Sequence, residues 1–357
     1  MSAFEEFRFL SGHVSSNRFM LSPLTNTQSH EDGRLSNEEK HWLTMRAKGG
    51  FGMVMTCAAN IQKNGQGFPG QLGIFDDIHK EGHLVLTEEL RSLGSLSLVQ
   101  LYHGGMRADS KLTQEAPVCP SPVERKGARG MTLSEIHEVR DNFIRSADLA
   151  KQWGYDGVEL HGAHGYLLAQ YISPTINLRT DDYGGNLNNR SRLLIEILSG
   201  IRKVCGDQFM LGVRLSPERF GMLLGEIKEL TKRMIKEDLV DFLDLSLWDC
   251  FKFPEEEEHK DVTLIDHFAS LDRKDIKMTV AGNIRSGQDV YKVLDKGIDF
   301  VTIGRAGILH HDFPQRVRQD SNFEHVKLPV SPDYLANEGL SERFIQYMGN
   351  WPGFVKR

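Results

Sequence analysis

Residues 132–161, TLSEIHEVRDNFIRSADLAKQWGYDGVELH, join one helix to one strand, and their reading decides the fold. Thr132 and Glu135 stand at capping-box spacing, where a hydroxyl and an acid satisfy the orphan donors of a first helical turn. Ile136, Val139, Phe143, Ala147 and Ala150 then step by three or four, so one helical face is built for burial. Gly154 stops the helix because glycine enters the left-handed conformation without a Cβ clash, and the following run around Val158 and Leu160 suits a strand covered on both faces.

The same junction recurs. Gly50-Phe51-Gly52-Met53-Val54 and Gly297-Ile298-Asp299-Phe300-Val301 repeat the glycine stop and buried strand, and Ser36 with Glu39 and Ser286 with Asp289 repeat the cap. Extended outward, the pattern predicts strands near 19–24, 52–57, 97–102, 156–161, 209–214, 241–246, 277–281 and 299–303. Helices are predicted near 36–48, 79–93, 132–153, 189–205, 225–237, 262–273 and 286–296, with another from 306. Eight alternations without a Pro/Gly/Ser-rich linker predict an α/β fold: a single (β/α)8 TIM barrel, one domain over 1–357 with a less regular tail over 322–357. An open doubly wound sheet is the competing architecture.

Composition narrows the function. The 357 residues are 39% hydrophobic, ample for a large core, and 43 basic against 49 acidic side chains give a net charge of −6. No basic excess offers itself to nucleic acid or to an anionic membrane, and no run approaches the ~18 apolar residues of a membrane span. A cytoplasmic location is the expectation. Cys57, Cys119, Cys205 and Cys250 are too widely spaced for a zinc or iron–sulfur motif, so reduced cysteines and no metal are expected.

Barrel chemistry belongs at the carboxyl ends of the strands. No lysine there offers a Schiff base and no carboxylate trio offers a magnesium site. Ala281-Gly282-Asn283 and Ile303-Gly304-Arg305 end the last two strands, and glycine backbone, helix N-terminus and guanidinium together make a phosphate cradle, although two ordinary βα turns would carry the same glycines. After the fourth strand, His161-Gly162-Ala163-His164-Gly165-Tyr166 crowds three polar rings into one loop. That string suits anion or carbonyl recognition with Tyr166 as proton donor; a metal site and purely structural histidines are the alternatives. Gln100 and Arg214 face the barrel mouth, where an amide and a fixed cation suit a heterocycle that alternates N–H and C=O edges, a reduced flavin among them; a structural salt-bridge or amide network is the alternative for either residue alone.

From Asn17-Arg18-Phe19-Met20-Leu21-Ser22-Pro23-Leu24-Thr25 to about Pro314 the chain resembles the old yellow enzyme group of FMN-dependent NAD(P)H oxidoreductases. The most specific stretch is Gly154 to Arg192, GYDGVELHGAHGYLLAQYISPTINLRTDDYGGNLNNRSR, supported by Gln100-Leu101-Tyr102-His103-Gly104-Gly105 and Gly212-Val213-Arg214-Leu215-Ser216. The resemblance implies noncovalent FMN with its ring among Ser22, Pro23, Leu24, Thr25, Ala58, Gln100 and Arg214, and its phosphate at Gly282, Asn283, Gly304 and Arg305. It implies that His161 and His164 bind the substrate oxygen and that Tyr166 supplies the proton. Thr27 stands where bacterial members commonly carry a substrate-contacting tyrosine, so it is read as a substrate-side position, with Trp248 and Phe251 as apolar walls, a core role being the alternative for Trp248.

The expected activity is hydride transfer from NADPH or NADH through flavin N5 to an electron-poor alkene, with quinones and nitro compounds as further acceptors. A flavin-free lyase or isomerase using His161, His164 and Tyr166, and a flavin-carrying sensor with little turnover, are the competing readings. The partner is a small molecule, with a homo-oligomer open; Trp351-Pro352-Gly353 and Arg357 are read either as a flexible terminus or as a tail reaching a neighbouring subunit's site.

Overall fold

The computed structural model describes residues 2–356. Eight parallel strands close a barrel: β1 (Phe19–Leu21), β2 (Met53–Asn60), β3 (Leu96–Tyr102), β4 (Gly157–Gly162), β5 (Met210–Leu215), β6 (Phe242–Ser246), β7 (Lys277–Ala281) and β8 (Phe300–Ile303). Closure comes from β8 pairing with β1, Thr302 beside Met20. The eight strands match the reading within a few residues. β1 ends at Leu21 rather than 24, ahead of Pro23, which has no N–H for a ladder. β2 runs on to Asn60 because its register shifts between Met55 and Ala58, a bulge that carries the strand further.

Around the barrel run α1 (Asn37–Lys48), α2 (Lys80–Ser92), α3 (Leu133–Gln152), α4 (Arg192–Cys205), α5 (Leu224–Lys236), α6 (Leu264–Ala269), α7 (Gly287–Asp295) and α8 (Phe313–Gln319). Thr132/Glu135 and Ser286/Asp289 form full capping boxes, and Gly154 takes φ +87° at its helix stop. Ser36 caps α1, but Glu39 does not return the bond; it turns inward, fully buried, to Asn26 and Ser29. The tail is more ordered than its composition suggested. It forms α9 (Pro332–Asn337) and α10 (Glu342–Gly349), and α10 docks on the first quarter of the chain through Phe344 against Trp42, ring centroids 5.4 Å apart.

The barrel interior is layered. Its floor is an apolar cluster of Met20, Met53, Leu98, Met210, Phe242 and Phe300, sealed by Phe7 and Phe9 from a short antiparallel hairpin at the start of the chain. Two residues further along the strands the same face turns polar: Gln100, Glu159, Asp244, Thr279 and Thr302 are all buried. No helix among the described residues is long and apolar enough to cross a membrane.

Candidate active site

Above the polar layer, the carboxyl ends of the strands surround an open cavity. Ser22, Pro23, Leu24, Thr25, Ala58, Gln100, His161, His164, Tyr166, Arg214, Trp248, Gly282, Asn283, Gly304 and Arg305 all line it, so β1 through β8 deliver the residues singled out above to one place. Two do not arrive. Thr27 has φ +57° and turns its hydroxyl to its neighbour's carbonyl, Asn26 O at 2.7 Å, outside the lining. Phe251 packs on the core beneath Lys292, whose ammonium lies 3.9 Å from the ring centre.

The floor of the cavity carries one cation and one amide. Arg214 donates to Ser22 Oγ at 3.0 Å and sits 3.6 Å from Asp244. Gln100 donates to Glu159 at 2.7 Å, which turns its own carbonyl, Oε1, into a buried acceptor with no protein donor. An amide oxygen in that state fits a ring N–H.

On one wall, His161, His164 and Tyr166 form a cluster, with ring centroids 5.0 Å apart for the two imidazoles and 4.9 Å for His161 and Tyr166. His161 Nδ1 accepts from Ala163 N–H at 3.3 Å, which leaves the ring proton on Nε2 as a donor. His164 Nε2 shares a hydrogen bond with Ser246 Oγ at 2.7 Å. Burial, reinforced by Arg214 and Arg107, pushes His164 down to about 3 and His161 well below its ordinary value, so both rings are neutral at pH 7. Neutral imidazoles donate to an oxygen without surrendering a proton to solvent. The cluster offers no third ligand: the described His/Cys/Asp/Glu groups able to hold a metal are Glu256/Glu258/His259 and His311/Asp312/Glu338, and neither lines the cavity.

The opposite end suits a phosphate. Asn283 holds φ +60°, a Cβ on Gly282 would meet Cys250 N at 2.9 Å, and a Cβ on Gly304 would find nothing nearer than Leu24 at 4.0 Å. So Gly282 is required by packing, whereas Gly304 leaves backbone open to a ligand. Arg305 is lowered by its own burial and then by the nearby Arg285, which joins it on the cavity lining; among the described residues neither guanidinium has a carboxylate partner. Two unpaired arginines fit a dianionic phosphate. Arg285 follows directly on Asn283-Ile284, and the signal that marks it is that adjacency.

Other residues escaped the sequence reading because they come from remote segments. Arg107 stacks on the Tyr166 ring at 4.7 Å and donates to His164 O at 2.5 Å, and Tyr102 packs edge-on against Tyr166 at 4.5 Å. From the tail, Tyr347, Met348 and Trp351 line the cavity, with the Tyr347 hydroxyl at Thr25 and Trp351. Trp351 thus belongs to its own chain's site; Arg357 lies outside the described residues.

Residues 10–324 match the NADH:flavin oxidoreductase / NADH oxidase family. The chain is 32% identical to the probable NADH-dependent flavin oxidoreductase YqiG of Bacillus subtilis, over 99% of this chain and 97% of that one. It is 31% identical to the NADH oxidase of Thermoanaerobacter brockii over 86% of this chain, and spans 49% of that longer protein. The old yellow enzyme homologue of Zymomonas mobilis shares the fold, with a TM-score of 0.81 at 24% identity over 96% of this chain and 99% of that one. The orphan Gln100 carbonyl and the paired arginines fit FMN, and the flavin-free lyase and the idle sensor drop out. The chain therefore belongs to the NADH:flavin oxidoreductase / NADH oxidase family and is an NAD(P)H-dependent, FMN-carrying oxidoreductase with the fold of the old yellow enzyme homologue.

Proposed function

We propose that this site reduces electron-poor alkenes conjugated to an oxygen, namely enones, enals and imides, with quinones and nitro compounds as further acceptors. When bound, FMN supplies the hydride chemistry. Ser22, Pro23, Leu24, Thr25, Ala58, Gln100 and Arg214 hold its ring, and Gly282, Asn283, Arg285, Gly304 and Arg305 its phosphate. The residues of this chain then do three things. His161 Nε2 and the His164 ring donate hydrogen bonds to the acceptor's oxygen, which polarises the alkene and stabilises charge that develops there. Tyr166 supplies a proton to the carbon next to the carbonyl. Tyr347, Trp351 and Trp248 wall the cavity and position a planar acceptor.

The observation that carries this reading is the contact of His161 with both His164 and Tyr166 on the wall of the cavity whose floor holds Gln100 and Arg214. Two oxygen donors and one acid within a ring's width are what a conjugated carbonyl needs. The protein is read as one domain in the cytoplasm, with NADPH or NADH as dissociable reductant.

Anaerobic titration with each nicotinamide, followed by a panel of enones, enals, imides and quinones, tests the reading. Bleaching by a nicotinamide and recovery with enones are expected. Recovery with quinones or oxygen alone would reject the alkene as substrate.

A further inference from the structure

Glu159 and Asp244 are both fully buried side by side in the polar layer, Glu159 next to Gln100 and Asp244 next to Arg214 on the neighbouring strands. Two carboxylates there face a single cation. Glu159 Oε1 accepts from Gln100 at 2.7 Å, Arg214 approaches Asp244 at 3.6 Å and the Thr302 hydroxyl reaches the same carboxyl, but Glu159 Oε2 faces no donor other than the Asp244 carboxyl. Ionised carboxyls are acceptors only, so the hydrogen bond between Glu159 and Asp244 requires that one carboxyl keep its proton and donate it to the other.

Every neighbouring element agrees with that count. β3 offers the Gln100 amide, β4 the neutral His161 one step above, β5 Arg214, and β7 and β8 the hydroxyls of Thr279 and Thr302, which lie 2.9 Å apart. Below lies only the apolar floor. Burial and the nearby Asp244 raise Glu159 well above the carboxylate range, and burial raises Asp244 too, opposed by Arg214 and by hydrogen bonds from Glu159 and Thr302. With one shared proton the trio of Glu159, Asp244 and Arg214 is neutral.

We propose that the Glu159–Asp244 pair is a proton store linked to the redox state of the site: it holds one proton at rest and binds a second when negative charge arrives at the ring edge above Arg214. The balance is as follows. A hydride leaves the reduced nicotinamide, which departs as a cation, and one net negative charge stays at the site. A proton from solvent enters the carboxyl pair and offsets it. When the acceptor carries the hydride away, that proton returns to solvent. The proposal rests on the ring lying over Gln100 and Arg214, but not on which acceptor is reduced.

Two measurements test it without any acceptor. Infrared spectra of the protein with 13C-labelled glutamate and aspartate side chains, with and without FMN, should contain a protonated-carboxyl stretch at neutral pH that disappears in Glu159→Gln. Potentiometry of the loaded protein across pH 6 to 9 should give about two protons per electron pair in the wild type and about one in Glu159→Gln, which is isosteric with the protonated acid. No protonated-carboxyl stretch at neutral pH in the wild type would overturn the store. A pH slope shared by wild type and Glu159→Gln would overturn its coupling to the redox state. Should Glu159→Gln fail to fold, the labelled wild type still decides, because reduction must then intensify its carboxyl band. Failure of the alkene reading would leave both measurements unchanged.

Discussion

The two halves of the barrel interior are made by the same strands and have opposite character. Along β6, Phe242 belongs to the floor, Asp244 to the polar layer and Ser246 to the cavity; along β3, Leu98, Gln100 and Tyr102 repeat the sequence. Phe7 stacks on Phe300 at 5.4 Å and Phe9 meets Phe242 edge-on at 6.0 Å, so the amino ends of the strands are closed by aromatic packing. At the carboxyl ends the side chains are polar, partly unsatisfied and open to a ligand. Stability and chemistry are thus separated by one or two steps of a strand.

Tyr166→Phe should have the largest effect at the upper end. It keeps the ring against Tyr102 and Arg107 and removes the proton, so enone turnover should fall by about 10²–10⁴-fold while cofactor reduction by NAD(P)H and quinone turnover stay near wild type. Stopped-flow measurement of each half-reaction reads this. Equal loss in both halves would mean that the two ends of the barrel are not separable by function.

At the lower end, Phe242→Ala should cost about 3–5 kcal/mol of stability by opening a cavity in the aromatic floor. Urea unfolding should register it, and the cofactor's absorption spectrum should not move. A shifted spectrum would show the floor reaching the site.

Acid should distinguish the ends next. His164 on the cavity wall and His103 just past the carboxyl end of β3 are both buried and lowered by desolvation to about 3, whereas the apolar floor at the other end has no titratable group. An unfolded histidine binds its proton near pH 6.5, so the unfolded state takes up protons that the folded one refuses. Stability is therefore full above about pH 6.5 and declines toward pH 3, by up to about 1.4 kcal/mol per pH unit for each such histidine. FMN release, followed by fluorescence, should precede loss of the helical circular dichroism. Simultaneous loss would deny the mouth its separate instability.

The smallest effect is expected at the wall supplied by the tail. Tyr347→Phe removes a hydroxyl that meets Thr25, and acceptor affinity should weaken by about 1 kcal/mol with the reduction step unchanged. Phenol titration monitored by its long-wavelength band checks it.

The division also explains how much could be read beforehand. Helix stops at Gly50, Gly154 and Gly297 are local signals, so eight strands and their order were legible, as were the strand-end residues. Glu159 and Asp244 were not, because an acid within an apolar run shows its partner only once the barrel closes. Tyr347 reaches Thr25 across more than three hundred residues, with Trp351 at its side, a distance no spacing pattern encodes. Thr27 misled because an aligned position says nothing of a left-handed backbone that turns its side chain away.

The docking of α10 has a consequence for biosynthesis. Ser341 N donates to Gln28 at 3.1 Å and Phe344 packs on Trp42, so the segment that carries Thr25 is clasped by residues made more than three hundred positions later. On the ribosome, strand β1 waits for β8, and the cavity wall waits longer still, until residues 341–351 have left the exit tunnel. Contacts of such long sequence separation fold slowly. FMN can meet a finished pocket only after that, so the nascent chain must stay soluble with its polar layer exposed and its cofactor absent.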